Sequence, residues 1–156
     1  MTPLYAAIVA RARQPEWYRE GSVPDTFDGR FDMVASILAL VLLRLEREGE
    51  ATRRSQVLLA ETFVDDMDGV LRQMGVGDLM VGKHVGKMMG ALGGRLTAYR
   101  DALADGGEMG QVVRRNIFRD DAAPDAPVAF VADRLRELAR EIDAVPLDVL
   151  LAGQIA

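Results

Sequence analysis

The stretch Ile37-Leu-Ala-Leu-Val-Leu-Leu43 decides the fold of this chain. It lies inside a helical segment that is predicted to run from about Asp28 to Glu48 and to end at Gly49. A helix that is apolar on every side is normally the buried centre of a domain. We therefore expect other helices to surround this one.

Helical signals continue on both sides of the central segment. Thr2 and Pro3 are typical of a helix start and predict a short first helix that stops near Pro15. Residues 16–27 predict an extended, ordered loop, and Asp25, Thr26 or Asp28 can cap the central helix. Further helices are predicted at about Ala51–Met74, Asp78–Ala104, Glu108–Phe118 and Val128–Ala144, with a last turn after Pro146.

The fold class predicted from these segments is all-α. A length of 156 residues suits one domain, and an aromatic content of 6% favours helix over sheet. We find no alternating strand pattern, no repeat and no low-complexity tract in the sequence. We therefore expect residues 1–156 to form a single compact domain of about six helices.

Composition argues against several classes of protein. The net charge of −5 disfavours nucleic acid as a partner. No apolar stretch approaches the roughly 20 residues that a spanning helix needs, and the N-terminus lacks the charge pattern of a secretory signal. Because the chain has one histidine and no cysteine, we expect neither haem ligation nor another cofactor. These features predict a soluble, cytoplasmic protein, at most peripheral to a membrane.

The segment Gly77-Asp-Leu-Met-Val-Gly82-Lys83 has the spacing of a phosphate-binding loop. His84 stands where that motif needs Ser or Thr, and the segment follows a helix where the motif needs a strand. We therefore interpret it as a turn between two helices, with Asp78 capping the second one.

Two groups of aspartates are the main candidates for chemistry. One group is Asp25, Asp28 and Asp32, and the other is Asp65, Asp66 and Asp68. Carboxylates can bind a metal or share a proton, but neither group has the histidine spacing or the calcium-loop spacing of a known metal motif. Helix capping and solvation explain most of them, so we expect no metal site and no catalysis.

Glycines recur every fourth residue in the predicted fourth helix, at Gly82, Gly86, Gly90 and Gly94. Each glycine costs a helix interior about 1 kcal/mol relative to alanine. The spacing makes a smooth ridge on which another helix can pack closely. That helix could come from the same domain, which is the simpler interpretation, or from a binding partner. The eight methionines of the chain include Met67, Met74, Met80, Met88, Met89 and Met109, and most of these are interpreted as core residues.

Five blocks of the sequence, within about residues 10–120, resemble the ubiquinol–cytochrome c chaperone family. The blocks are Val23–Asp32 after Trp17-Tyr18, Phe63–Arg72, Met74–Met88, Gly94–Tyr99 and, more weakly, Arg115–Phe118. The resemblance implies an all-helical chaperone without catalysis. Mitochondrial members of the family act with a small partner protein on newly made cytochrome b, and this chain is similar to a bacterial version.

From the resemblance and the residues together we expect an assembly chaperone that shields apolar segments of nascent cytochrome b at the inner face of the inner membrane. Its surface is expected to combine the Pro-Asp-rich loop with the glycine ridge and its flanking lysines. The expected partner-binding residues are Trp17, Val23, Pro24, Asp25, Phe27, Arg30, Asp78, Gly82, Lys83, Gly86, Lys87, Gly90 and Arg95.

Two other functions stay open at this point. The glycine ridge could join copies of the chain, which would make the protein a helical scaffold or a homo-oligomer. The aspartate groups could hold a metal and make it an enzyme, although no histidine lies among them.

Overall fold

Helices make up the regular structure of residues 2–155, the part of the chain that this computed structural model describes, and no strand occurs there. They are α1 (Pro3–Ala12), α2 (Pro15–Tyr18), α3 (Phe27–Glu46), α4 (Arg53–Gln73), α5 (Asp78–Leu103), α6 (Met109–Val113), α7 (Asp125–Ala144) and α8 (Leu147–Leu151). A 3-10 turn at Gly49–Thr52 precedes α4, and a π-helical turn at Arg114–Phe118 extends α6. The prediction of an all-α protein is confirmed.

The central position of α3 is also confirmed. Every residue from Met33 to Leu43 is buried, and α3 packs against α1, α4, α5 and α7. One hydrophobic core includes residues from α1 through α8, so the chain forms a single domain. No helix of residues 2–155 combines the length and the apolar character that crossing a membrane requires.

Side-chain caps fix the beginnings of α1 and α3. The Thr2 hydroxyl accepts a hydrogen bond from the Tyr5 amide at 3.2 Å, as the Thr-Pro start predicted. The Thr26 hydroxyl accepts one from the Gly29 amide at 3.1 Å. Of the three candidate caps, the structure therefore selects Thr26.

Two predicted boundaries were wrong. The extended loop begins only after α2, because Pro15 starts a short helix that places Trp17 in the core. Helix α7 begins at Asp125, before the predicted Val128, since the first turn of a helix tolerates Pro127 without an amide hydrogen. The predicted bounds of the fifth helix are confirmed, although its second half widens into the π-helical turn, and Arg119, with a φ of +53°, ends it.

Candidate protein-binding surface

A buried ion-pair junction holds α5 against α3 and the π-helical turn. Arg95 Nη2 donates to Asp32 Oδ1 at 2.5 Å, and its guanidinium lies 5.5 Å from the centre of the Phe31 ring. The same nitrogen donates to the Asn116 carbonyl at 3.2 Å. Carbonyls at the end of a helix lack helical partners, so the π-helical turn offers an acceptor to Arg95.

The second arginine of this junction is Arg119. Its guanidinium donates to both carboxylate oxygens of Asp32, at 2.8 and 2.9 Å, and lies 3.6 Å from Asp28. Burial raises the pKa of Asp32, and the two guanidinium groups offset part of that rise. The left-handed backbone of Arg119 turns the chain back after the π-helical turn, and this residue reaches Asp32 from there.

A hydrogen-bonded chain extends from the junction along α3. Tyr99 donates to the Ser36 hydroxyl at 2.7 Å, and Ser36 donates to the Asp32 carbonyl at 2.7 Å. Burial is the main cause that raises the pKa of Tyr99 to about 12. These contacts fix which face of α5 points inward.

The opposite face of α5 carries the glycine ridge, and it is open. A Cβ atom added at Gly82, Gly86, Gly90, Gly93 or Gly94 would have no contact within 4 Å. The simpler interpretation, that another helix of this domain packs on the ridge, was therefore wrong. The core of this domain is completed by the other face of α5, and within residues 2–155 the ridge stays uncovered.

Helix α4 adds a shallow groove beside the ridge. A cavity of about 290 Å³ lies between Met89 of α5 and one face of α4. That face presents Val57, Ala60, Glu61, Val64 and Asp65. We call this feature the α4–α5 groove; an apolar floor with one acidic edge suits an apolar segment of a partner.

The ridge borders the α4–α5 groove directly. Gly86 and Gly93 lie three residues before and four residues after Met89, so all three occupy one face of α5. Val57 and the neighbouring Leu58 are about half exposed. A partner helix could approach the α5 backbone closely here, because the glycines have no side chains.

The predicted site residues fall into two groups. On the surface lie Pro24, Asp25, Arg30, Asp78, Gly82, Lys83, Gly86, Lys87 and Gly90, with Phe27 half buried. Trp17, Val23 and Arg95 are buried. The Trp17 indole donates to the Arg11 carbonyl at 2.9 Å, and Arg95 bonds to Asp32, so these residues support the surface from inside and were wrong as contact residues.

The Pro-Asp-rich loop and the glycine ridge do not form one continuous surface. Arg30 donates to Asp25 at 2.8 Å on the loop side of the domain. Within residues 2–155, no hydrogen bond or ion pair joins the loop's exposed side chains to the ridge. The two regions are linked through the interior, by the bond between Asp32 at the start of α3 and Arg95 of α5.

Asp78 does not cap α5, contrary to the prediction. Gly77 occupies the cap position, and Asp78 is the first helical residue. Its carboxylate pairs with Arg72, which also donates to Asp68 at 3.0 Å. This pairing ties the last turn of α4 to the first turn of α5 and confirms that the glycine-rich segment is a turn between helices.

The aspartate groups have protein partners. Asp32 bonds to two arginines, Asp25 to Arg30 and Asp66 to the Tyr5 hydroxyl at 2.7 Å. In residues 2–155 no three His, Cys, Asp or Glu side chains are arranged to hold a metal ion. The aspartates among these residues therefore do not form the cluster that the metal-enzyme alternative requires.

The α4 side of the groove was missed from sequence. Val57, Ala60 and Val64 follow one another at spacings of three and four, which is a second apolar stripe beside Phe63, Met67 and Leu71. The expectation that methionines are core residues holds for Met67 and Met109, whereas Met74 and Met80 are about half exposed.

Comparisons with known proteins agree with this architecture. A family model described as ubiquinol-cytochrome C chaperone matches residues 19–156. The chain is similar to the crystal structure of the Cbp3 homolog from Brucella abortus, with a TM-score of 0.84 and 30% sequence identity. The match covers 99% of this chain and 86% of that one. A search of curated proteins found no significant match.

The family match includes α7 and α8 as well as the blocks that carried the resemblance. Three of those blocks meet at the buried junction, through Asp32, Arg95 and Asn116. The similarity and the fold together show that the chain belongs to the ubiquinol–cytochrome c chaperone family.

Proposed function

We propose that this protein binds an apolar segment of newly made cytochrome b and holds it until the other subunits of the ubiquinol–cytochrome c reductase complex arrive. The protein acts without catalysis, at the cytoplasmic face of the inner membrane. The observation that carries the proposal is the open glycine ridge beside the α4–α5 groove.

The energetics of α5 favour a binding role for the ridge. Glycine lowers helix stability, yet no neighbouring atom within 4 Å requires glycine at Gly82, Gly86, Gly90, Gly93 or Gly94. Residues that lower the stability of a fold and are not required by its packing are typical of surfaces retained for function. A ridge of glycines lets a partner helix approach the α5 backbone closely, because no side chain stands between them.

The chemistry of the groove matches an apolar helix. Its floor is formed by Val57, Ala60, Val64 and Met89. Methionine adapts its shape to different apolar partners, which suits a site that must hold a segment and later release it. Lys83 and Lys87 lie on the exposed face of α5 and can meet polar residues at the end of that segment.

The test is the double substitution Gly86→Leu with Gly90→Leu, compared with Gly86→Ala with Gly90→Ala. Both pairs are compatible with folding, because no neighbour meets an added Cβ atom. We expect the leucine pair to occupy the ridge, reduce co-purification of cytochrome b and lower the amount of assembled bc complex. The alanine pair, which changes the ridge by one methyl group per site, should have a smaller effect.

Two results would contradict the proposal. One is a folded leucine variant that retains cytochrome b and normal levels of bc complex. The other is a wild-type dimer in sedimentation that the leucine pair converts to a monomer, since the ridge would then join two copies of the chain.

A further inference from the structure

The turn between α4 and α5 leaves large apolar side chains uncovered. Leu79 is 93% exposed, Met74 is 58% exposed and Met80 is 49% exposed. All three lie within seven consecutive residues at one end of the helical hairpin, which we call the hairpin tip (residues 74–80). Scattered apolar residues on a surface need no explanation, but a cluster of this kind marks an interaction site.

The cations next to the tip are arranged along one line. Lys83 and Lys87 follow Leu79 at spacings of four residues, so the three side chains share one face of α5. They are the only lysines in the sequence, and all other cations apart from His84 are arginines. At 1.5 Å per residue, the lysines stand about 6 and 12 Å behind Leu79 along the helix axis.

The local charge is opposite to that of the whole protein. Arg72 is paired with Asp68 and Asp78, and residues 79–90 contain two cations, Lys83 and Lys87, and no acid, which gives a net charge of +2 without His84. The whole chain carries −5. An acidic protein with a positively charged end is attracted to anionic surfaces through that end.

We propose that the hairpin tip docks on the surface of a bilayer that contains anionic phospholipids. Interfacial helices bury apolar side chains about 5–10 Å deep, at the boundary between headgroups and acyl chains. At the tip, Leu79 would enter that boundary, and Lys83 and Lys87, farther back along α5, would reach the headgroups. Lysine stems also extend along apolar surface while their ammonium groups stay in the polar layer.

Docking in this way shares Lys83 and Lys87 with the proposed client binding and leaves the α4 side of the groove free. The α4–α5 groove includes Val57, which is 17 residues and roughly 25 Å of helix from Met74. The groove would then rise from the membrane surface alongside the docked hairpin.

Flotation of the purified full chain with lipid vesicles tests the inference. The probes are vesicles of phosphatidylcholine alone and vesicles in which part of it is replaced by phosphatidylglycerol. We expect the wild-type protein to float with the anionic vesicles and to dissociate from them as the salt concentration rises. Leu79→Asp should abolish flotation, and Lys83→Gln with Lys87→Gln should weaken binding by about 25-fold, at about fivefold per lysine.

Matched controls come from the other end of α4. Arg53→Gln with Arg54→Gln removes two exposed cations, and Val57→Asp places an acid at a half-exposed apolar residue of the α4–α5 groove. Neither control should reduce flotation, although Val57→Asp should reduce capture of cytochrome b. Leu79→Asp that loses vesicle binding but keeps client capture, and Val57→Asp that loses client capture but keeps vesicle binding, would separate the two proposals.

Three flotation results would overturn the inference. They are a wild type that does not float with anionic vesicles, tip variants that float like the wild type, and equal flotation with neutral vesicles. A wild-type dimer that Leu79→Asp dissociates would also overturn it, because a second copy of the chain would then cover the tip.

Discussion

Arg95 and Asp32 lie 63 residues apart in sequence and 2.5 Å apart in the interior, where they join α5 to α3. Their side chains are 6% and 1% exposed, so each charge depends on the other for solvation. This contact orients α5 so that Tyr99 and Leu92 point inward and the glycine ridge points outward.

Substitution of Asp32 by alanine should destabilise the protein strongly. Removing one partner of a buried ion pair costs roughly 3–5 kcal/mol, because the remaining charge stays buried without compensation. Urea unfolding of Asp32→Ala would measure this loss.

The matched control is Asp68→Ala, which breaks an exposed pair with Arg72. Exposed ion pairs contribute about 0–1 kcal/mol, so this variant should unfold close to the wild-type midpoint. Equal urea midpoints for Asp32→Ala and Asp68→Ala would mean that the buried junction does not hold α5 in place.

Alanine substitutions should have opposite effects at two glycines. A Cβ atom at Gly29 would lie 1.8 Å from the Pro24 carbonyl oxygen, so Gly29→Ala must displace the loop or the start of α3. At Gly86 the added methyl group meets nothing, and Gly86→Ala should raise the free energy of unfolding by about 0.5–1 kcal/mol. Thermal unfolding of both variants provides the comparison.

An unstable Gly86→Ala variant would contradict the assignment of the ridge to the surface. A Gly29→Ala variant as stable as the wild type would show that the Pro24 carbonyl does not lie close against Gly29 in the turn before α3.

Alkaline pH should destabilise the fold through its tyrosines. Burial is the main cause that raises the pKa of Tyr5, Tyr18 and Tyr99 above the ordinary 10.0, for Tyr99 to about 12. The unfolded chain therefore releases these protons first. Their contribution to stability is fully present below pH 10 and is lost as pH rises through the raised folded values.

Ultraviolet absorbance of tyrosinate measures this directly. At pH 11 the unfolded chain in denaturant should show most of its tyrosine ionised, and the folded chain should show much less. Tyr99→Phe should lower the dependence of stability on pH above 10. Coincident titration of folded and unfolded protein near pH 10 would contradict the buried environment of these hydroxyls.

Features set by local sequence were predictable. The apolar run Ile37–Leu43 placed α3 at the centre, and Thr2 and Thr26 were correct capping candidates. Helix α2 was missed because Pro15 was taken only as a stop signal, whereas proline is also favoured at the first helical position.

Features set by distant contacts were not predictable. Arg95 follows the glycine ridge in sequence and was assigned to the surface with it, but the acceptor that draws it inward is in another helix. The same applies to the ridge itself. Periodicity shows that glycines share a face, and only the packing of α5 shows that this face is open.

The central claim is that the α4–α5 groove holds cytochrome b, and photo-crosslinking in cells tests it most directly. A photoreactive amino acid at Val57 would report on the groove, and one at Asp133, on the exposed side of α7, would be the control. The account predicts a crosslink to newly made cytochrome b from position 57 and none from position 133. Absence of that crosslink from position 57, in cells that assemble the bc complex normally, would contradict it.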